Sequence, residues 1–164
     1  MEPAKDILQA LLPESCESLF ADYGVELQPS TEHQPMRMMS VIGFSAREMH
    51  GSLALAASES VVRASLPFAD GCPNDWLGEL ANQLLGRLKN RLYKYGLELD
   101  MAVPMVLRGL ELQVHGEEHG RVMRFEYASP TGPICIWMDV DFDEHLMLEE
   151  QEQEASAEGA VLFF

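Results

Sequence analysis

Glu79 and Asn82 are the residues whose types and spacing most readily suggest chemistry in this chain. Three positions apart on a helix, they fall on neighbouring turns of one face, so a carboxylate and an amide could reach the same point on a partner. An E-x-x-N quartet is also common on ordinary solvated faces, and spacing alone leaves both readings open. The company the pair keeps is less ordinary. The same face carries Asp75, Gln83, Gly86 and Asn90, with Tyr93 a turn further on. A helix that merely meets water usually carries Lys, Glu and Arg there, which are better helix formers than Asn, Asp or Gly. Gly86 gives up roughly 1 kcal/mol against Ala in a helix interior, and the simplest compensation is that something approaches the backbone closely at that point. The three Asn of the chain, at 74, 82 and 90, all lie in this stretch.

Other groupings point to less. His115 and His119 have a separation that on a helix could bind Zn²⁺, but HGEEHG has Gly on both sides and lies between expected strands, as in a hairpin loop. Asp139, Asp141 and Asp143 alternate with Val140 and Phe142, superficially like a Ca²⁺ loop. Glu144 stands where such a loop needs Gly, so the expectation is the solvated face of an edge strand, and no metal site. No Ser, Cys and His arrangement stands out as a nucleophile with its base. Arg87, Lys89, Arg91 and Lys94 are four of the eleven basic residues. They complement the C-terminal end of a helix dipole and could also guide an acidic protein partner.

The element that must position Glu79 and Asn82 is a helix from Pro73 to Gly96. Stepping about 100° per residue places Trp76, Leu77, Leu80, Ala81, Leu84, Leu85, Leu88 and Leu92 in one apolar arc that faces a core. Residues 4–22 read as a second helix, which Pro13 either kinks or splits with Ser15 as a new cap. Residues 25–34 suggest an irregular connection, 36–46 and 48–58 a pair of strands joined by a short turn, and 59–68 a short helix begun by Ser58 or Ser60. After Gly96 the period changes from 3.6 to about two. One or two strands broken near Pro104 follow, then RVMRFEYAS and PICIWMDVDF across a turn. Two or three helices and about six strands make an α+β domain, an antiparallel β-sheet packed against long helices. The expected domain spans 1–145, and 146–164 is an acidic tail expected to be mobile. Its apolar tip, Val161 to Phe164, either covers a groove or simply ends the tail.

At 164 residues the chain can bury a core without cross-links. Cys16, Cys72 and Cys135 have no metal-type spacing and do not pair evenly, which fits a reduced, cytoplasmic setting. A formal charge of -16 repels phosphate backbones and anionic lipid heads, so neither nucleic acid nor a membrane surface is expected as a partner. No Gly-rich phosphate loop or β-α-β alternation points to a nucleotide-binding fold.

DWLGELANQLLGRLKN resembles the signature helix of the CheC/CheX family of chemotaxis phosphatases, and CheX-like proteins in particular. That pattern is an Asp or Ser, three residues, Glu, two residues, Asn, and a Pro about 22 residues later. Asp75, Glu79 and Asn82 fit it, Gly86 falls where CheX-like helices often carry Gly, and Pro104 follows Asn82 after 21 intervening residues, one short of the pattern's spacer. CheC-type chains carry two such motifs; one is found here, which favours the single-site arrangement. The resemblance implies a CheX-like α+β fold, often as a homodimer, acting on the aspartyl phosphate of a response-regulator receiver domain. It implies no cofactor of the chain's own, with Mg²⁺ supplied by the receiver. Asn82 would then position a water, Glu79 would pair with a receiver Lys, and Asp75, Gln83 and Gly86 would meet the partner. The competing expectation is a non-catalytic module of the same fold that docks or sequesters a signalling partner.

Overall fold

A computed structural model of the chain describes residues 1–115 and 122–151. Two residues of strand, β1 (Glu2–Pro3), lead into a 19-residue helix, α1 (Ala4–Asp22). Pro13 sits inside this helix without dividing it, and Ser15 caps nothing, since its hydroxyl donates back to the Leu11 carbonyl at 2.7 Å. An interior proline costs about 3 kcal/mol. Burial on both sides of it, by Leu8, Leu12, Leu19 and Phe20, offsets that cost.

The connection that follows contributes only β2 (Gln28–Pro29). β3 (Met36–Ser45) and β4 (Met49–Ala57) then form an antiparallel hairpin closed by the Ala46 N–H donating to the Met49 carbonyl. α2 (Glu59–Ser65) starts at Ser58, whose hydroxyl accepts from the Val61 N–H. α3 (Pro73–Leu92) is the long helix; Tyr93–Tyr95 tighten into a 3-10 turn, and Gly96, at φ 74°, ends it in the left-handed region that favours glycine. β5 (Asp100–Met101), β6 (Met105–Leu112), β7 (Val122–Ser129), β8 (Gly132–Phe142) and β9 (Met147–Leu148) complete the order.

The main sheet runs β2-β7-β8-β4-β3, with β5 and β6 both lying along the outer edge of β3. All of its pairings are antiparallel. Side chains alternate between its faces. Leu53, Leu55 and Ala57 join the helices' buried leucines in the main core, while Ala54 and Ala56 turn the other way, to a smaller cluster around Met39 and Trp137. α3 lies across β3, β4 and β6 and is held from outside by α1 and α2.

Three sequence-based expectations change. β8 is central rather than an edge strand, hydrogen-bonded to β4 and β7. Alternating Asp139 and Asp141 report a sheet face without helices, and a central strand has such a face too. The fold also continues past residue 145: Met147 and Leu148 pair with Pro3 and Glu2, Leu148 is buried, and the Gln151 N–H donates to the Lys94 carbonyl at 2.7 Å. Ser15 is a residue within a helix, not a cap. His115 is exposed; His119 and the tip from Val161 to Phe164 lie outside the described residues.

Candidate functional site

α3 divides as its periodicity requires. Leu77, Leu80, Ala81, Leu84, Leu85, Leu88 and Leu92 are fully buried, and that layer holds the opposite face outward. There Asp75 and Glu79 are exposed, and Asn82, Gln83 and Gly86 are half-buried. Trp76, expected in the apolar arc, lies at its border. It is half-buried, and its indole N–H donates to the Ser65 hydroxyl at 2.9 Å.

Beside this face the outer edge of the sheet is interrupted. Between β5 and β6, Ala102, Val103 and Pro104 leave regular pairing, although the Ala102 N–H still donates to the Gly43 carbonyl at 2.9 Å. A cleft of about 490 Å³ separates this segment from α3. Asn74, Asp75, Gly78, Glu79 and Asn82 form its helical wall; Ala102, Val103, Pro104 and Val106 form the other. Its floor needs the glycine at 78. A Cβ there would lie 3.4 Å from a Val106 methyl and 3.8 Å from the Pro104 ring, so a larger side chain would fill the meeting of helix and strand. Gly86, singled out in the sequence for close approach, has nothing within 4 Å of where a Cβ would stand. Within the chain, the close approach happens two turns earlier.

The polar side chains of this face are in two different states. The Tyr23 hydroxyl, from the end of α1, donates to Gln83 Oε1 at 2.8 Å, and Gln83 Nε2 donates to Glu79 Oε1 at 3.0 Å. Both ends of the Gln83 amide are thus engaged inside the molecule. Tyr23 in turn packs edge-on against Trp76, with ring centroids 4.8 Å apart and planes at 84°, a favourable aromatic geometry. Asn82, by contrast, makes no side-chain hydrogen bond among the described residues. Asn74, at the head of the cleft, accepts from Arg108 Nε at 2.6 Å, and the same guanidinium reaches Glu59 at 3.5 Å.

Two of the four residues of the basic cluster are engaged with α1. Arg87 meets Asp22 at 2.5 Å and the Ser18 hydroxyl at 3.1 Å, and Arg91 meets Glu14 at 2.7 Å. These pairs tie α3 to α1. The cysteines offer no nucleophile in the core: all three are free, Cys16 and Cys135 are buried, and burial pushes the Cys16 thiol far up and the Cys135 thiol up to about 12 despite the nearby Arg124. Among the described residues no group of three His, Cys, Asp or Glu could hold a metal ion. No described helix is long and apolar enough to cross a membrane.

Sequence reasoning placed Asp75, Glu79 and Asn82 on one surface, and the structure brings all three to the cleft. It missed Tyr23, Gly78 and Val103. Tyr23 lies 60 residues from Gln83, and no local pattern encodes that contact. Gly78 was legible in principle, as a glycine inside an otherwise leucine-rich buried face.

Fold and surface together define an α+β domain whose helices cover one face of an antiparallel sheet and whose polar helix face opens on a cleft. The family described as chemotaxis phosphatase CheX matches residues 38–126, more than half of the 164 residues, and the chain belongs to that family. Solved structures share the fold. The chemotaxis protein CheX of Vibrio vulnificus is 21% identical, with a TM-score of 0.70 over 80% of this chain and 95% of that one. A CheC-like superfamily protein of Shewanella sp. PV-4 is 22% identical, with a TM-score of 0.71 over 80% and 96%. The CheX of Borrelia burgdorferi, solved in a complex with CheY, BeF3 and Mg²⁺, is 14% identical, with a TM-score of 0.60 over 80% and 96%. Comparison with curated protein sequences finds no significant match.

Proposed function

We propose that this protein hydrolyses the aspartyl phosphate of a CheY-like receiver domain, with Asn82 placing the water and Glu79 setting the docking register. Membership of the chemotaxis phosphatase CheX family supports the reaction class, and the Borrelia complex, in which CheX is bound to CheY, supports a receiver as partner. The observation that carries the residue roles is the contrast on α3: an amide without a hydrogen-bond partner among the described residues, one turn from a carboxylate already held by its neighbour.

The chemistry asks little covalent work of the protein. The water oxygen forms a bond to phosphorus as the bond from phosphorus to the aspartyl oxygen breaks. Inorganic phosphate leaves with the water's protons, and the receiver's aspartate is left as a carboxylate. Phosphoryl transfer of this kind is accelerated mainly by positioning and electrostatics, and the receiver's own Mg²⁺ supplies much of the latter. The Asn82 amide suits the remaining task. Its oxygen accepts from the water, its nitrogen donates, and it carries no charge to be repelled by the phosphoryl oxygens. The Glu79 carboxylate pairs with a receiver Lys through a charge-assisted hydrogen bond. Asp75 lines the rim and Gly86 leaves room for the partner's loop.

The test is incubation with a panel of phosphorylated receivers and Mg²⁺. Phosphate loss accelerates with the parent protein, and Asn82→Ala removes the acceleration with little change in binding. If Asn82→Ala dephosphorylates as fast as the parent, the catalytic assignment is wrong. Receiver binding without acceleration by the parent would identify a docking module instead.

The homodimer belongs to the same proposal. Met105, Leu107 and Leu110 are exposed on β6, whose pairing among the described residues is with β3 alone, and such an edge favours a second copy. Sedimentation of the full chain at the monomer mass would exclude it.

A further inference from the structure

Resting on the phosphatase reading above, we infer that Tyr23 and Gln83 are positioning residues that hold Glu79 ready for its partner before docking. Glu79 is exposed, and a free glutamate on a helix surface samples many rotamers, so ordering it during association costs affinity. Here it is already ordered. The Gln83 amide nitrogen donates to one carboxylate oxygen, Oε1, and the Tyr23 hydroxyl donates to the amide oxygen.

The direction of this relay follows from its chemistry. A carboxylate only accepts, so the amide must turn its nitrogen to Glu79 and its oxygen to Tyr23, whose hydroxyl then has to donate. A flipped amide would set oxygen against oxygen. Glu79 Oε2 takes no part in this bond and remains for an incoming ammonium group.

The base of the relay is rigid. Tyr23 stands edge-on against Trp76, whose indole N–H donates to Ser65, and the buried Ser65 hydroxyl donates to the Val62 carbonyl at 2.9 Å. Three helices therefore converge on one carboxylate: α1 through Tyr23, α2 through Ser65, and α3 through Trp76 and Gln83. Gln83 acts here through Glu79 rather than by meeting the partner itself.

Tyr23→Phe keeps the ring contact and removes only the hydroxyl. With a phosphorylated receiver as substrate, KM rises about 3- to 10-fold, the range of one hydrogen bond, while kcat stays within about twofold. In a Glu79→Ala background the same substitution leaves KM unchanged, because the group it positions is gone. An equal KM rise in both backgrounds, or none in the parent, overturns the inference. Asn82→Ala, assayed alongside, reports on the phosphatase reading separately, through kcat. Should the parent protein accelerate no receiver, that reading fails on its own, and the relay is judged in the free protein by NMR. The Gln83 side-chain amide signals then shift in both Tyr23→Phe and Glu79→Ala; signals unmoved by either refute it.

Discussion

The two halves of α3 turn polar side chains out of the core and use them in opposite ways. In the C-terminal half, Arg87 and Arg91 reach across to Asp22, Ser18 and Glu14 of α1. In the N-terminal half, Asn82 has no internal partner among the described residues, and Glu79 is held through one oxygen. The two regions differ in charge, acidic in one and basic in the other, but composition alone does not say which of their side chains are engaged. Their contacts do. A residue tied to the next helix contributes to packing geometry, whereas one ordered at the lip of a cleft and left without a partner is available to another molecule. The glycines divide the other way: Gly78, in the N-terminal half, lets β6 approach, and Gly86, in the C-terminal half, faces open space.

The sharpest way to break this comparison is to truncate one asparagine in each half. Asn82→Ala lowers the rate of receiver dephosphorylation by roughly 100-fold or more, as loss of in-line positioning does. Asn90→Ala leaves the rate unchanged. Similar losses from both would mean that the halves are not functionally distinct.

Reversing charge comes next. Glu79→Lys weakens docking by about 2 kcal/mol, read as receiver affinity, because it sets like charges together. Arg91→Ala changes affinity little and lowers folding stability by less than about 1 kcal/mol, the usual worth of an exposed ion pair. A larger affinity loss from Arg91→Ala would move the docking surface to the other half.

The glycines test the smallest effects. Gly78→Leu costs about 1–3 kcal/mol of stability in denaturant unfolding, through overpacking against Val106 and Pro104. Gly86→Ala raises stability by roughly 1 kcal/mol, since helix propensity improves and nothing is in the way. It also raises KM for the receiver, because the added methyl meets the partner's loop. An unchanged KM would show that no partner approaches there.

Much of this was legible from the chain. The leucine period of residues 77–92 specified a helix buried on one side, and Asp75, Glu79 and Asn82 necessarily shared the other. The change to a period of two after Gly96 announced the strands of the antiparallel sheet. Pro104 marked a break, and the break proved to be one wall of the cleft. The edge assignment of β8 failed because alternation reports which face of a strand meets water, not how many neighbours the strand has.

The sequence by itself determined which residues α3 turns outward, because helical geometry is local and periodicity expresses it directly. Only the tertiary structure decided which of those residues are already engaged. The hydrogen bond from Tyr23 to Gln83, the pairs from Arg87 and Arg91 to α1, and the approach of β6 to Gly78 all join segments far apart in the chain. Contacts of that kind leave no periodic trace in the order of residues, since they arise when separate hydrophobic faces collapse onto one core and bring unrelated polar edges together.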